Sequence, residues 1–116
     1  MIEGILRLFL LNIKTHMNLQ IKLHTGNDVA DSKEVIERIV QENMSNKLDQ
    51  YLNKFHKEDA EGTIELKVDK NKKGLFDASL HANLDGNVHH FSREDYKNMD
   101  DLINHLFDHL KEALSA

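Results

Sequence analysis

Apolar and polar residues alternate over residues 63–84, and this pattern predicts a β-hairpin. A polar turn, Asn71-Lys72-Lys73-Gly74, interrupts the alternation and supplies the Asn and Gly that tolerate left-handed backbone. An alternation of period two gives each strand one apolar and one polar face. The apolar face consists of Ile64, Leu66, Val68, Phe76, Ala78, Leu80, Ala82 and Leu84. Because a hairpin with one apolar face is not stable alone in water, other segments must cover it.

An alternating segment and an amphipathic segment precede this hairpin. Residues 19–24 alternate in the same way and predict a first strand. Asp31 followed by Glu34 resembles a capping box. Apolar residues at spacings of three and four then predict a helix over about residues 31–56. Its apolar stripe comprises Val35, Ile36, Ile39, Val40, Met44, Leu48, Tyr51, Leu52 and Phe55.

Two more elements follow the hairpin. Asp85-Gly86-Asn87 is a second turn signal, and residues 88–92 form a short fourth strand. Asp95 is predicted to cap a final helix. The apolar stripe of that helix comprises Tyr96, Met99, Leu102, Ile103, Leu106, Phe107, Leu110 and Leu114.

The predicted order β-α-β-β-β-α indicates an α+β fold with a mixed four-stranded sheet and two helices packed on one face. The first strand, the long helix and the second strand should form a right-handed parallel crossover. The next strands should form an antiparallel meander. The other face of the sheet is then polar.

Residues 1–16 are predicted to be an N-terminal extension outside the fold, with the domain spanning residues 17–116. The apolar run in the extension is too short to span a bilayer, and it lacks the early cations and cleavage site of a secretory signal. A membrane-surface segment is the alternative interpretation.

Length and composition favour one ordinary globular domain. The chain has 116 residues, no cysteine and a formal net charge of −5. The absence of cysteine excludes disulfides, thiolate metal sites and cysteine nucleophiles. The negative charge argues against indiscriminate binding to polyanions. The charge is uneven, however, because residues 63–74 carry four lysines against two acids, whereas residues 94–116 carry two lysines against six acids.

The eight histidines are the main candidates for site chemistry. His105 and His109 stand four residues apart, so their rings could reach one metal ion from a helix, and His89 or His90 could add a ligand. We favour the simpler interpretation that these are surface side chains that become cationic as the pH falls. No arrangement typical of nucleophilic or acid/base catalysis is present, so we predict no enzyme activity, no metal and no cofactor.

Four sequence strings resemble one protein family. They are KLDQYL (47–52), LKVDK (66–70), DASLHA (77–82) and DYKNMDDLINHL (95–106). In this order they resemble the short ribosome-hibernation factors, called hibernation-promoting factor or protein Y, over residues 17–114. The resemblance implies a non-enzymatic, cytoplasmic translation inhibitor, monomeric off the ribosome, that binds the small ribosomal subunit near the decoding site under stress and keeps ribosomes idle.

The partner implied by this resemblance is the small subunit with its rRNA, and neither a membrane nor a small-molecule substrate. Cations on exposed faces would match the RNA phosphates. The predicted RNA-binding residues are Lys33, Arg38, Lys47, Lys54, Lys67, Lys70, Lys72, Lys73, His105 and His109. Lys67 and Lys70 stand where the family's lysines stand, and Lys72 and Lys73 extend the basic turn.

The final helix departs from the family pattern. The family often has lysine at the position of His105 and arginine at that of Asp108. This chain has Asp108 and Glu112 instead, and a carboxylate repels phosphate. The alternative interpretation is therefore a hibernation-factor-like fold with lost or weakened ribosome binding that serves as a protein-interaction module through its acidic final helix. Asp108→Arg is expected to strengthen ribosome binding if the first interpretation holds.

Overall fold

A computed structural model describes residues 2–7, 18–52 and 61–115. The strands are β1 (Ile2–Arg7), β2 (Asn18–Thr25), β3 (Glu61–Lys70), β4 (Phe76–Leu84) and β5 (Asn87–Tyr96). The first helical segment comprises a 3-10 turn (Asn27–Ser32), α1 (Lys33–Asn43), a π-helical turn (Met44–Leu48) and α2 (Asp49–Leu52). The last helix, α3, spans Met99–Ser115. The end of the predicted long helix, residues 53–56, lies outside the described residues.

The predicted α+β class and the mixed sheet are confirmed. The strands lie in the order β1-β2-β3-β4-β5. β2 and β3 run parallel on either side of the helical connection, and β3, β4 and β5 form the antiparallel meander. Asp85 and Gly86 both have positive φ, which suits the tight turn between β4 and β5.

The strand count is corrected from four to five, because β1 pairs antiparallel with β2. Six residues, from Ile2 opposite Thr25 to Arg7 opposite Gln20, are in register. This pairing satisfies edge hydrogen-bonding groups of β2 that would otherwise face water. Part of the segment that we expected outside the fold therefore belongs to the sheet. Residues 8–16 of that segment lie outside the described residues.

Both helical segments pack on one face of the sheet, as predicted. Leu66 and Leu80 lie at the centre of that face and are fully buried. The helical residues packed over them are also buried, and they are Ile36, Ile39, Val40, Met44, Leu48, Leu102, Ile103, Leu106, Phe107 and Leu110. Val35 was assigned to the apolar stripe but is 39% exposed.

Both predicted helix caps are wrong. Asp31 already lies in the 3-10 turn, and Ser32 occupies the N-cap position of α1 without a side-chain cap bond. At α3 the cap is Asn98, whose Oδ1 accepts hydrogen bonds from the backbone N–H groups of Asp100 and Asp101 at 2.9 and 3.4 Å. Asp95 instead lies within β5, one residue before its end, where the register with β4 shifts, and it has a φ of 61°.

Candidate nucleic-acid interface

The turn between β3 and β4, which we call the hairpin tip (residues 70–75), is organised by the side chain of Asn71. Its Oδ1 accepts hydrogen bonds from the backbone N–H groups of Lys73 and Leu75, at 2.9 and 3.1 Å. Its backbone N–H donates to the Leu75 carbonyl at 2.8 Å, and its carbonyl accepts from Gly74 at 3.0 Å. Gly74 has a φ of 80°, a conformation that glycine adopts without strain. The lysine-bearing turn is therefore held in one conformation by its own backbone and by Asn71.

The same Asn71 amide connects the hairpin tip to β5. Its Nδ2 donates to Asp95 Oδ1 at 2.7 Å and to Asp77 Oδ1 at 3.0 Å. The backbone N–H of Asp95 also donates to Asp77 Oδ1, at 3.0 Å. The left-handed backbone at Asp95 thus places its carboxylate beside the tip, where it also accepts a hydrogen bond from Lys73 Nζ at 3.2 Å.

The four lysines of the hairpin differ in what they contact. Lys67 and Lys72 are exposed, and Lys70 Nζ lies 5.6 Å from the centroid of the Phe76 ring. Among the described residues no ion pair involves Lys67, Lys70 or Lys72. Lys73 shares its charge with Asp95. Three ammonium groups are therefore available for an anionic ligand, and the fourth is partly neutralised.

The predicted cations of the first helical segment do not join this group. Arg38 pairs with Glu42 at 3.5 Å on an exposed surface, and Lys33 lies half-buried at the start of α1. Lys47 Nζ lies 2.7 Å from Asp108 Oδ1 and donates to the Asn104 carbonyl at 3.3 Å. These side chains are on the helical face, whereas Lys67 points to the other face of the sheet. Lys54 lies outside the described residues.

Lys47 and Asp108 border a polar cleft of about 350 Å³ between α1, the π-helical turn and α3. Asn43 lies buried at its floor and donates to Asn104 Oδ1 at 2.8 Å. The remaining lining residues are Glu42, Asn46, Asp101 and His105. Asp108 is thus the ion-pair partner of a predicted RNA-binding lysine.

His105 and His109 contact β5 rather than a common metal position. His105 Nδ1 is hydrogen-bonded to the Tyr96 hydroxyl at 2.7 Å. The Arg93 guanidinium donates to His109 Nε2 at 2.6 Å, and the Phe91 ring stacks on His109 with centroids 5.6 Å apart. A protonated Nε2 could not accept the Arg93 bond, so charging His109 there would cost that contact. Within the described part of the chain, no three His, Cys, Asp or Glu side chains are grouped to hold a metal ion.

The sheet face away from the helices, which we call the open face, carries polar residues that the site prediction omitted. The strand registers align Ile5, Lys22, Glu65, His81 and His90 in one row, and Glu3, His24, Lys67, Ser79 and Ser92 in the next. Arg7, Gln20, Thr63, Asn83 and Val88 form a third row, and Asp69 pairs with Asp77 on the same face nearer the hairpin tip. The period-two alternation predicts this face, but it does not show which residues of different strands are neighbours.

Glu65, in the first of these rows, is hydrogen-bonded to a histidine of the second row. His24 Nε2 lies 2.9 Å from Glu65 Oε2. This hydrogen bond lowers the pKa of Glu65 below its ordinary value of 4.5, and the charges of His24, Lys67 and Lys22 act in the same direction while burial opposes them. Glu65 is therefore ionised at neutral pH, with its charge offset by cations on both sides.

Comparison with known proteins shows the fold. No family model matches the sequence, and no curated protein matches it. Among solved structures, the chain is similar to the N-terminal domain of Protein Y from Thermus thermophilus, with a TM-score of 0.60 and 20% sequence identity. The likeness covers 79% of this chain and 90% of that domain. The chain therefore has the fold of the Protein Y N-terminal domain.

Proposed function

We propose that this protein is a ribosome-associated translation inhibitor that binds rRNA of the small subunit and keeps ribosomes idle under stress. The observation that carries the proposal is the fixed hairpin tip, which presents Lys70 and Lys72 beside Lys67 on a fold shared with Protein Y. The four sequence strings that resemble hibernation factors support the same function. Nothing in this activity requires a metal, a cofactor or a small-molecule substrate, and the partner places the protein in the cytoplasm.

The hairpin can supply RNA affinity in spite of the net charge of −5. Local cations, rather than net charge, contact phosphates and release the condensed counterions. Three lysines without an ion-pair partner among the described residues would each contribute one phosphate contact. The preorganised turn also increases the affinity for RNA, because the turn does not have to be ordered when RNA binds.

Cosedimentation with purified small subunits over a range of salt concentrations tests the proposal. Lys70, Lys72 and Lys73 are changed together to Ala in one variant, and Lys33, Arg38 and Lys47 in the matched control. Each variant loses three positive charges. The first variant loses them from the hairpin tip, and the control loses them from the helical face. We expect the tip variant to bind at least about ten times more weakly and to lose roughly two units of salt slope, since each phosphate contact accounts for about 0.7 to 0.9 unit.

Two outcomes would contradict the proposal. Wild-type protein that fails to sediment with small subunits at any salt concentration would exclude it. Equal losses in the two variants would show that the binding surface is not the hairpin tip. Thermal unfolding of both variants verifies that each is folded.

A second candidate function is a protein-interaction module that uses the cleft between α1 and α3. The observation that favours it is the set of carboxylates at this cleft, Glu42, Asp101 and Asp108. A basic segment of a partner protein would complement them. This function would remain if the wild-type protein does not bind ribosomes.

A further inference from the structure

The polar cleft between α1 and α3 contains a buried acceptor that no described residue satisfies. Asn43, at the floor of this cleft, is 3% exposed. Its Nδ2 donates to the Ile39 carbonyl and to Asn104 Oδ1, both at 2.8 Å, whereas its Oδ1 accepts no hydrogen bond from the described residues. A buried acceptor without a donor is costly and is uncommon in folded proteins. The floor of the cleft is therefore arranged for a group that donates a hydrogen bond.

The charges around the cleft select a cation. Its lining carries three carboxylates, those of Glu42, Asp101 and Asp108. Lys47 neutralises Asp108, and Arg38 pairs with Glu42 at 3.5 Å. Asp101 is exposed, and its carboxylate makes no ion pair or hydrogen bond among the described residues. Three carboxylates against two cations leave one negative charge, which a single cation with N–H donors would complement.

The positions of the acceptors favour an organic cation over a metal ion. In the described part of the chain, no three His, Asp or Glu side chains are grouped to hold a metal. The acceptors come instead from the two walls, since Asn43 ends α1 and Asp101 lies in the first turn of α3. A guanidinium is planar and carries five N–H donors, so it can donate in two directions at once. An ammonium is a compact, strongly hydrated point charge that fits such an arrangement less well.

We propose that this cleft binds a single guanidinium group, which donates to the Asp101 carboxylate on one side and to Asn43 Oδ1 on another. The cleft volume of about 350 Å³ lies within the usual range of small-ligand pockets. At its rim, the exposed Asn46 and Asp101 side chains make no contact with a described residue that a ligand would have to break. Asn46 also lies in the π-helical turn, an element that is rare in proteins and frequent at functional sites.

The inference goes beyond the proposed binding of ribosomes, because the cleft lies on the helical face and does not include the hairpin tip. The guanidinium could belong to a small molecule or to an arginine side chain of a partner protein. Both would make the same contacts with Asn43 and Asp101. In the second case the inference names the group that the interaction-module function would recognise.

NMR titration of the isotope-labelled full chain tests the inference, with N-acetyl-arginine amide as the probe. This compound carries one guanidinium and no other charge. N-acetyl-citrulline amide has nearly the same shape without the charge, and N-acetyl-lysine amide presents an ammonium instead. We expect the arginine compound to bind with a Kd of about 1 mM and to shift the backbone signals of Asn43, Asn46 and Asn104. The citrulline compound should bind at least about ten times more weakly, because it loses the charge-assisted hydrogen bonds, and the lysine compound should fall between the two.

Asp101→Asn and Asp100→Asn form a matched pair of variants. Both residues are exposed in the first turn of α3 and donate their backbone N–H groups to Asn98, but only Asp101 lines the cleft. Asp101→Asn should weaken binding of the arginine compound about five- to tenfold, whereas Asp100→Asn should change it by less than about twofold. Asn43→Leu removes the buried acceptor and should weaken binding by a similar factor, with thermal unfolding to verify that this variant is folded.

Three outcomes would overturn the inference. They are the absence of a saturable shift at the cleft with the arginine compound, equal binding of the citrulline compound, and equal effects of the two Asp variants. A pentapeptide with arginine between glycines distinguishes the sources of the group. Tighter binding of this peptide than of the capped amino acid would assign the guanidinium to a partner protein, and equal binding would assign it to a small molecule. None of these measurements uses ribosomes, so failure here leaves the proposed function standing.

Discussion

Replacing Asn71 with Ala should destabilise the fold and loosen the lysine-bearing turn. The substitution removes two hydrogen bonds that Asn71 Oδ1 accepts and two that its Nδ2 donates to carboxylates. A hydrogen bond contributes about 0.5 to 1.5 kcal/mol net, and the low end applies because two of the four bonds are exposed and the other two are only partly buried. We therefore expect the free energy of unfolding to fall by about 2 kcal/mol.

Urea denaturation at pH 7 measures this loss, with Asn83→Ala as the control. Asn83 accepts one turn hydrogen bond, from the Gly86 backbone at 3.1 Å, so its removal should cost about a quarter as much. Asn71→Asp is a sharper variant, because it keeps the acceptor but places a third carboxylate beside Asp77 and Asp95. It should be less stable than Asn71→Ala at pH 7 and should recover relative to it below about pH 4, where carboxylates are protonated. An Asn71→Ala variant as stable as Asn83→Ala would refute the assignment of Asn71 as the organiser of the tip.

Two further predictions concern the β1 edge of the sheet and Glu65 on its open face. Deleting residues 1–16 removes β1 and exposes the edge of β2. The free energy of unfolding should then fall by about 1 to 3 kcal/mol, because six paired residues are lost while the entropic cost of ordering them is also removed. An unchanged urea midpoint would instead support a domain that begins at residue 17. Because the folded pKa of Glu65 is lowered, its ionised form adds stability above pH 4.5 that is lost as the pH falls through the folded pKa. Urea denaturation from pH 3 to 6 gives the difference in the free energy of unfolding between the wild type and Glu65→Gln. This difference should shrink below pH 4.5. A difference that stays constant over this range would contradict the His24 contact.

Local sequence patterns were sufficient to predict most of the fold, because the helices and strands depend mainly on residues that are near one another in the sequence. Period-two alternation located β3 and β4, and the spacing of apolar residues located α1 and α3. β5 was placed at residues 88–92 but runs from Asn87 to Tyr96, because three consecutive charged residues, Arg93, Glu94 and Asp95, interrupt the alternation before the strand ends. β1 was missed because Ile2–Arg7 is part of a longer apolar run, and its role as a strand depends on the edge of β2.

The candidate site was less predictable because its important contacts join residues far apart in the sequence. Exposure of Lys67 and Lys72 follows from their place in an alternating hairpin. The pairs of Lys73 with Asp95 and of Lys47 with Asp108 join positions 22 and 61 residues apart. No local pattern indicates such pairs, since they depend on the packing of different strands and helices.

The Lys47–Asp108 pair changes what the acidic final helix implies. A carboxylate at position 108 suggested either repulsion of RNA or attraction of a basic partner. Its oxygen lies 2.7 Å from Lys47 Nζ, and Glu42 at the same cleft pairs with Arg38 at 3.5 Å. Two of the three cleft acids are thus offset by cations within the protein, so the cleft offers a basic partner less charge than its composition suggests.

The same pairing removes the simple basis for expecting Asp108→Arg to strengthen RNA binding. The new guanidinium would stand beside Lys47, whose stem is packed against α3, and the two cations would repel each other at close range. Any gain toward phosphate would then be offset by this repulsion, whereas a cation added at the hairpin tip meets no such cost. The charges that would decide the proposed ribosome binding are therefore to be sought at the tip, where Lys70 and Lys72 have no ion-pair partner among the described residues.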